Sequence, residues 1–138
     1  MPESDTLRQW VIDNLTSQDT SQLDRWKEDV AKLLSLSKAG DVLPKIAASG
    51  LDAKATILLQ ALGKTYAQTG GLVGEASISA AKLKGVIAIP TGTVGWALAE
   101  LRKERLLLAD EKGGYVLPPA MVGEAISRIK RSLETERR

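Results

Sequence analysis

Two short motifs in the sequence carry residue types that can act on phosphates or acyl groups. Gly63-Lys64-Thr65 matches the end of a phosphate-binding loop, and Ser79-Ala80-Ala81-Lys82 matches the serine–lysine pair of some acyl-transfer enzymes. The phosphate loop requires an earlier glycine where this chain has Leu58, and the motifs that accompany the serine–lysine pair do not follow. Neither motif therefore predicts an active site.

The amino-acid composition excludes several other kinds of catalytic and metal-binding site. The 138 residues include no cysteine and no histidine, which excludes disulfide frameworks, Cys/His zinc sites and mechanisms that need an imidazole. The carboxylates are scattered among basic residues, as on an ordinary solvated surface. We predict no enzymatic activity, no cofactor and no metal.

Hydropathy and charge bear on the compartment of the protein and on its possible membrane and nucleic-acid partners. No apolar run approaches the roughly 20 residues of a membrane span, and the first residues are polar and acidic, unlike a signal peptide. These features predict a cytoplasmic protein without a membrane partner. Residues 1–50 hold six Lys/Arg against eight Asp/Glu, whereas residues 51–138 hold 13 against nine. The mildly basic second part permits nucleic-acid binding without requiring it.

The first 50 residues are predicted to form a helical extension. Apolar residues repeat at helical spacing over 7–15 and again over 23–34. Gly40 is predicted to follow the end of the second helix. Residues 41–50 are predicted to form a connector with one or two helical turns. Trp10 and Trp26 are predicted to pack between helices.

Residues 51–118 are predicted to contain three helices and a β-hairpin. Asp52 is expected to cap a long, buried helix that ends at Gly70 and Gly71, and residues 72–77 offer a short strand. Ser79 is expected to begin a small helix that stops before Pro90.

The third helix is predicted from Thr91 to about Arg105, with its apolar side facing inward. The inward residues are Val94, Ala97, Leu98 and Leu101. Residues 106–109 and 115–117 then form two strands around Gly113 and Gly114, which can adopt the positive φ of a tight turn. Residues 119–138 are predicted to form a last helix and a charged tail.

This order of elements resembles the winged helix-turn-helix superfamily. The residues that carry the resemblance are Ile89-Pro90-Thr91-Gly92-Thr93-Val94, Ala97-Leu98, Leu101-Arg102-Lys103 and Leu106-Leu107. One departure is Arg105, since the family usually has a glycine at this turn. The turn is therefore either wider than usual, or one residue adopts a positive φ.

The resemblance implies a mainly α fold with a small β-hairpin and a protein that binds double-stranded DNA, such as a transcriptional regulator. The helix at 91–105 would enter the major groove, and nearby cations would contact phosphates. The last helix and the N-terminal helices carry apolar stripes suited to a homodimer. The predicted nucleic-acid-binding residues are Thr91, Thr93, Trp96, Lys103, Lys82, Lys84, Arg105 and Lys112.

A protein-interaction module without nucleic-acid binding is the alternative hypothesis. The outward side of the third helix carries little positive charge, and Asp110 and Glu111 make the hairpin tip acidic. Trp96 has three interpretations. It is a partly buried residue that packs on a neighbouring helix, an anchor for a protein partner or second subunit, because exposed tryptophan is enriched at binding hot spots, or a residue that stacks on a nucleotide.

Overall fold

The computed structural model describes residues 21–46, 51–110 and 113–137 and has a mainly helical architecture with two small antiparallel hairpins. The predictions for residues 7–15, for Trp10 and for Lys112 lie outside these residues. The elements are α1 (Ser21–Leu33), β1 (Leu34–Leu36), β2 (Val42–Pro44), α2 (Ala53–Thr69), α3 (Ala80–Leu83), α4 (Thr91–Lys103), β3 (Leu108–Ala109), β4 (Tyr115–Val116), a 3-10 turn (Pro119–Met121) and α5 (Val122–Arg137). Among the described residues, no helix has the length and apolar content needed to cross a membrane.

The first hairpin, β1 with β2, corrects the prediction for residues 34–44. Helix α1 ends at Leu33, and Leu36 pairs with Val42 in an antiparallel register. Gly40 does not follow a helix; it lies in the hairpin turn with φ 87°, a conformation that glycine adopts without steric cost. The prediction was wrong because a short apolar run looks the same in a helix and in a buried strand.

Helix α2 lies at the centre of the protein, as predicted. The Asp52 carboxylate accepts a hydrogen bond from the backbone N–H of Ala55 at 2.8 Å, which caps the first turn. Gly70 caps the other end. The largest side chains along the helix are fully buried, and they include Ile57, Leu58, Leu59 and Leu62. Helices α4 and α5 and the first hairpin all pack around it.

Helices α1 and α5 pack against each other and close one side of the core. Leu23 and Val30 of α1 and Ile126 and Ile129 of α5 belong to the same buried cluster as α2. The apolar stripes of α1 and α5, two of those that the sequence offers for a homodimer, are thus packed within the described chain. An added Cβ on Gly123 would lie 2.9 Å from the Trp26 ring, so these helices approach closely where Trp26 packs, as predicted for Trp26.

Two polar contacts fix α1 in place. The Tyr66 hydroxyl of α2 donates to the Leu23 carbonyl oxygen at 2.5 Å, and burial, reinforced by the negative charges of Asp24 and Asp29, raises the pKa of Tyr66 to about 12. The Lys130 ammonium lies 3.0 Å from the Asp29 carboxylate. Residues 21–46 therefore pack on the same core as the rest of the described chain.

The second hairpin, β3 with β4, confirms the predicted small β element, with shorter strands. Leu108 pairs with Val116, and Ala109 pairs with Tyr115. At the tip, Gly113 has φ 84°, and the Asp110 carboxylate accepts the Gly114 N–H at 2.8 Å. Leu106 and Leu107 lie in the turn after α4 and are fully buried.

The segment between α2 and α4 has less regular structure than predicted. No strand forms over residues 72–77; a single bridge joins Ile78 to Tyr115, with N···O distances of 2.8 and 2.7 Å. Ser79 caps α3 by accepting the Lys82 N–H at 3.1 Å. Helix α3 ends at Leu83, several residues before Pro90. It ends there because Gly85 follows with φ 81°, which is not a helical conformation.

Candidate nucleic-acid interface

Helix α4 has one buried side and one exposed side. Val94, Ala97, Leu98 and Leu101 are each at most 3% exposed and belong to the core. This confirms the predicted inward side. Because the buried residues follow the helical period, the opposite side faces solvent along the whole helix.

The exposed side of α4 brings together four of the predicted binding residues: Thr91, Thr93, Trp96 and Lys103, all exposed. Trp96 is 56% exposed, so its predicted roles as a partly buried packing residue, an anchor for a partner or a nucleotide-stacking residue all stay predictions. The Lys103 ammonium lies 3.3 Å from the Glu100 carboxylate one turn away, which offsets part of its charge. We call Thr93, Trp96, Glu100 and Lys103 the α4 stripe.

The first turn of α4 offers unpaired backbone donors. Pro90 occupies the N-cap position, and no side chain in the described part of the chain caps the helix there. Neither the Thr91 nor the Thr93 hydroxyl therefore caps this helix. The first N–H groups of a helix have no partner within it and carry the positive end of the helix dipole. Thr91, Gly92 and Thr93 are exposed, so an anionic ligand can reach these donors.

An ion-pair cluster joins the end of α4 to α2 and α5. Glu104, just after α4, lies 3.2 Å from the Lys54 ammonium of α2 and 3.1 Å from the Arg128 guanidinium of α5. Burial opposes ionisation of Glu104, but the hydrogen bonds and charges of Lys54 and Arg128 outweigh it and lower the pKa of Glu104. The Lys54 ammonium also lies 5.5 Å from the Trp96 ring centroid, a cation–π contact.

The comparisons with known proteins give no relative from which a function can be transferred. No protein-family model, curated protein or solved structure matches the chain. Within the described ranges, no group of three acidic side chains is placed to hold a metal ion. Any function must therefore be inferred from the chemistry of the exposed side chains and backbone.

The predicted basic residues of α3 differ in their surroundings. The Lys82 ammonium lies 2.9 Å from the Ser77 hydroxyl and 3.7 Å from the Glu75 carboxylate, so its donors are directed toward the segment before α3. Lys84 is exposed at the end of α3. Lys84 is thus more available to an anionic partner than Lys82.

Arg105 adopts the positive φ that the missing glycine suggested. Its φ is 63°, and among the described residues it is the only one other than glycine with a positive φ. The N–H of Arg105 donates to the Arg102 carbonyl, and the N–H of Leu106 donates to the Leu101 carbonyl, both at 3.0 Å. This pattern is a Schellman motif, which usually places glycine at the position of Arg105. The arginine side chain remains exposed after α4.

Replacing Arg105 by glycine is expected to raise the free energy of unfolding by about 0.5–1 kcal/mol, because the left-handed conformation costs an L-residue about 1–2 kcal/mol and the greater freedom of unfolded glycine returns part of the gain. Urea unfolding followed by circular dichroism measures the change. Arg105→Ala keeps a Cβ at the same position and serves as the control, with no comparable gain. A destabilised Arg105→Gly variant would contradict the strain assignment.

Sequence reasoning missed the ion-pair cluster at the end of α4. Lys54, Glu104 and Arg128 belong to three elements, and they are separated by 50 and 24 positions along the chain. No local pattern marks such a cluster, since each residue alone resembles an ordinary surface charge. The capping aspartate at position 52 was the one available signal that Lys54 lies in the first turn of α2.

Proposed function

We propose that residues 51–118 form a winged helix-turn-helix domain and that the protein binds double-stranded DNA, as a transcriptional regulator does. The order of the elements supports this proposal: α2, the bridging residue Ile78, α3, α4, and then β3 and β4. Ile78 and the β3–β4 hairpin together make a minimal three-stranded arrangement through Tyr115. In such a domain α4 is the recognition helix and the β3–β4 turn is the wing.

The observation that carries the proposal is the exposed, uncapped first turn of α4 next to the α4 stripe. The major groove of DNA is wide enough for an α-helix. The free N–H groups at Thr91, Gly92 and Thr93 suit a phosphate oxygen, and the threonine hydroxyls can bond to phosphates or base edges. Trp96 would then lie on the groove side, where its ring can contact sugars or a thymine methyl group.

Exposed cations around α4 would supply the electrostatic part of binding. Lys84, Arg102, Lys103 and Arg105 are all exposed. Because only a few phosphates would be neutralised, affinity should be modest and should fall by more than about tenfold between about 50 and about 200 mM salt. Lys112 at the wing tip remains a predicted phosphate contact.

Thr93→Glu is expected to weaken binding to duplex DNA by about tenfold or more, because a carboxylate beside the first turn of α4 repels phosphate and occupies its donors. The same carboxylate interacts favourably with the helix dipole, by about 0.3–1 kcal/mol, so the variant should remain folded. Fluorescence anisotropy with a random-sequence duplex at low salt measures the affinity. Ser127→Glu, at an exposed position of α5, makes the same charge change away from α4 and should leave the affinity within about twofold.

Two results would overturn the DNA proposal. The first is the lack of any duplex complex with the unmodified protein at low salt. The second is equal loss of affinity in Thr93→Glu and Ser127→Glu, which would indicate a response to net charge and not to the position of α4.

The exposure of Trp96 favours a second candidate function, a winged-helix module that binds another protein. A tryptophan that is 56% exposed and lies near the middle of a helix face is typical of a protein-binding hot spot. Trp96→Ala discriminates between the candidates. Lower DNA affinity in this variant supports the DNA proposal, whereas loss of a captured protein partner, with no DNA binding by either form, supports the second.

A further inference from the structure

A cavity of about 400 Å³ lies between the first hairpin, α2 and α3, on a different side from the α4 stripe. Its volume falls within the usual range of small-molecule pockets. Its apolar lining comes from Val42 of the hairpin, Ile78 of the bridge, and Leu83 and Val86 at and after α3. Val86 is 58% exposed, which places it at the mouth.

Gln60 is the unusual residue of this cavity. It is 4% exposed, and within the described chain its side-chain amide makes no hydrogen bond, although it lines the cavity. No buried side-chain N or O atom of the described residues lacks a hydrogen-bond partner, so the unbonded Gln60 amide belongs to the small part of this side chain that remains accessible from the cavity. Gln60 also differs from the other buried side chains of α2, which are nearly all apolar. The amide is therefore placed to bond with something that enters the cavity.

Lys64 lies one helical turn after Gln60 and lines the same cavity. Its ammonium donates to the Gly40 carbonyl oxygen at 3.0 Å, which leaves two of its three N–H donors for another acceptor. Lys82 also lines the cavity, but its ammonium contacts the Ser77 hydroxyl and the Glu75 carboxylate. Gln60 and Lys64, one helical turn apart on the same side of α2, are thus the lining residues with donors left for a ligand.

We propose that this cavity binds a small organic carboxylate with an apolar tail. Its carboxylate would accept hydrogen bonds from the Gln60 amide nitrogen and the Lys64 ammonium, and its tail would pack against Val42, Ile78 and Leu83. The single available ammonium matches one negative charge, and the Asp41 carboxylate at the rim disfavours a more highly charged anion. This site does not depend on the proposed DNA function, since none of its groups belongs to α4.

The test uses hexanoate as the probe, with hexylamine and hexanol as matched compounds. Calorimetry and ¹H–¹⁵N shift mapping on the full chain should show hexanoate binding that perturbs the Gln60, Lys64 and Leu83 amides. Hexylamine should not bind, and hexanol should bind at least about tenfold more weakly, because a charged hydrogen bond contributes about 1.5–3 kcal/mol. No hexanoate binding, or equal binding of all three compounds, would overturn the proposal.

Variants locate the binding in the cavity. Gln60→Leu and Lys64→Met should each reduce hexanoate affinity by about tenfold, since each removes one donor. Val86→Asp adds a carboxylate at the exposed mouth, where folding is not at risk, and should reduce the affinity similarly. Leu43→Asp is the matched control, since Leu43 is 47% exposed beside Val42 but does not line the cavity. Unchanged affinity in Val86→Asp, or an equal loss in Leu43→Asp, would overturn the assignment.

Discussion

Replacement of Leu101 by alanine is expected to lower the free energy of unfolding by about 3–5 kcal/mol, the largest stability loss that we predict. Leu101 is completely buried on the inner side of α4. Its carbonyl also receives the N–H groups of Leu106 and Leu107 at 3.0 and 3.3 Å. Truncation removes the side chain that holds the end of α4 on the core and leaves a cavity. A loss of this size is a large fraction of the roughly 5–15 kcal/mol that stabilises a typical domain.

Urea unfolding followed by circular dichroism measures the effect of Leu101→Ala. Arg102→Ala is the matched control, because Arg102 is the next residue of α4 and is exposed. Its substitution should change the free energy of unfolding by less than about 0.5 kcal/mol. A loss below about 1 kcal/mol in Leu101→Ala would mean that the end of α4 is not anchored on the core.

Gly63→Ala is expected to lower the free energy of unfolding by about 2 kcal/mol, although alanine is normally the better helix former by about 1 kcal/mol. An added Cβ on Gly63 would lie 2.3 Å from Val42 Cγ2, well inside van der Waals contact. Steric overlap in a packed core costs about 1–3 kcal/mol or more. The first hairpin would have to move away from α2 to accommodate it.

A double-mutant cycle tests this contact. Val42→Ala makes room for the new methyl group, so Gly63→Ala should cost less in that background, with a coupling of about 1–2 kcal/mol. Gly95→Ala is the control, since an added Cβ on this α4 glycine meets nothing within 4 Å. It should stabilise the protein by up to about 1 kcal/mol. Additive effects of Val42→Ala and Gly63→Ala would contradict the close packing of the hairpin on α2.

The predictions that the structure confirmed rest on strong local signals. Asp52 and Gly70 mark the two ends of α2, and the glycine-containing turn at 113–114 marks the second hairpin. The exposed side of α4 followed from its apolar period, which placed Thr93 and Trp96 on the outside. The missing glycine at position 105 left two alternatives, a wider turn or a positive φ, and the structure has the positive φ at Arg105.

The first hairpin was missed because local patterns do not distinguish the two structures that residues 34–44 can adopt. Leu34 and Leu36 suit a helix end or a strand, and their pairing with residues 42–44 is decided by packing on α2. The same limit applies to the strand predicted over 72–77, which does not form; the next residue, Ile78, makes a single bridge to Tyr115.

Local sequence alone was enough to place α2, α4 and the exposed face of α4, because capping residues and apolar spacing act within a few positions. The Lys54–Glu104–Arg128 cluster, the cavity around Gln60 and the closure of the core by α1 and α5 arose only on folding. Each of them joins side chains that are far apart in the chain, so its energy exists only when separate elements come into contact.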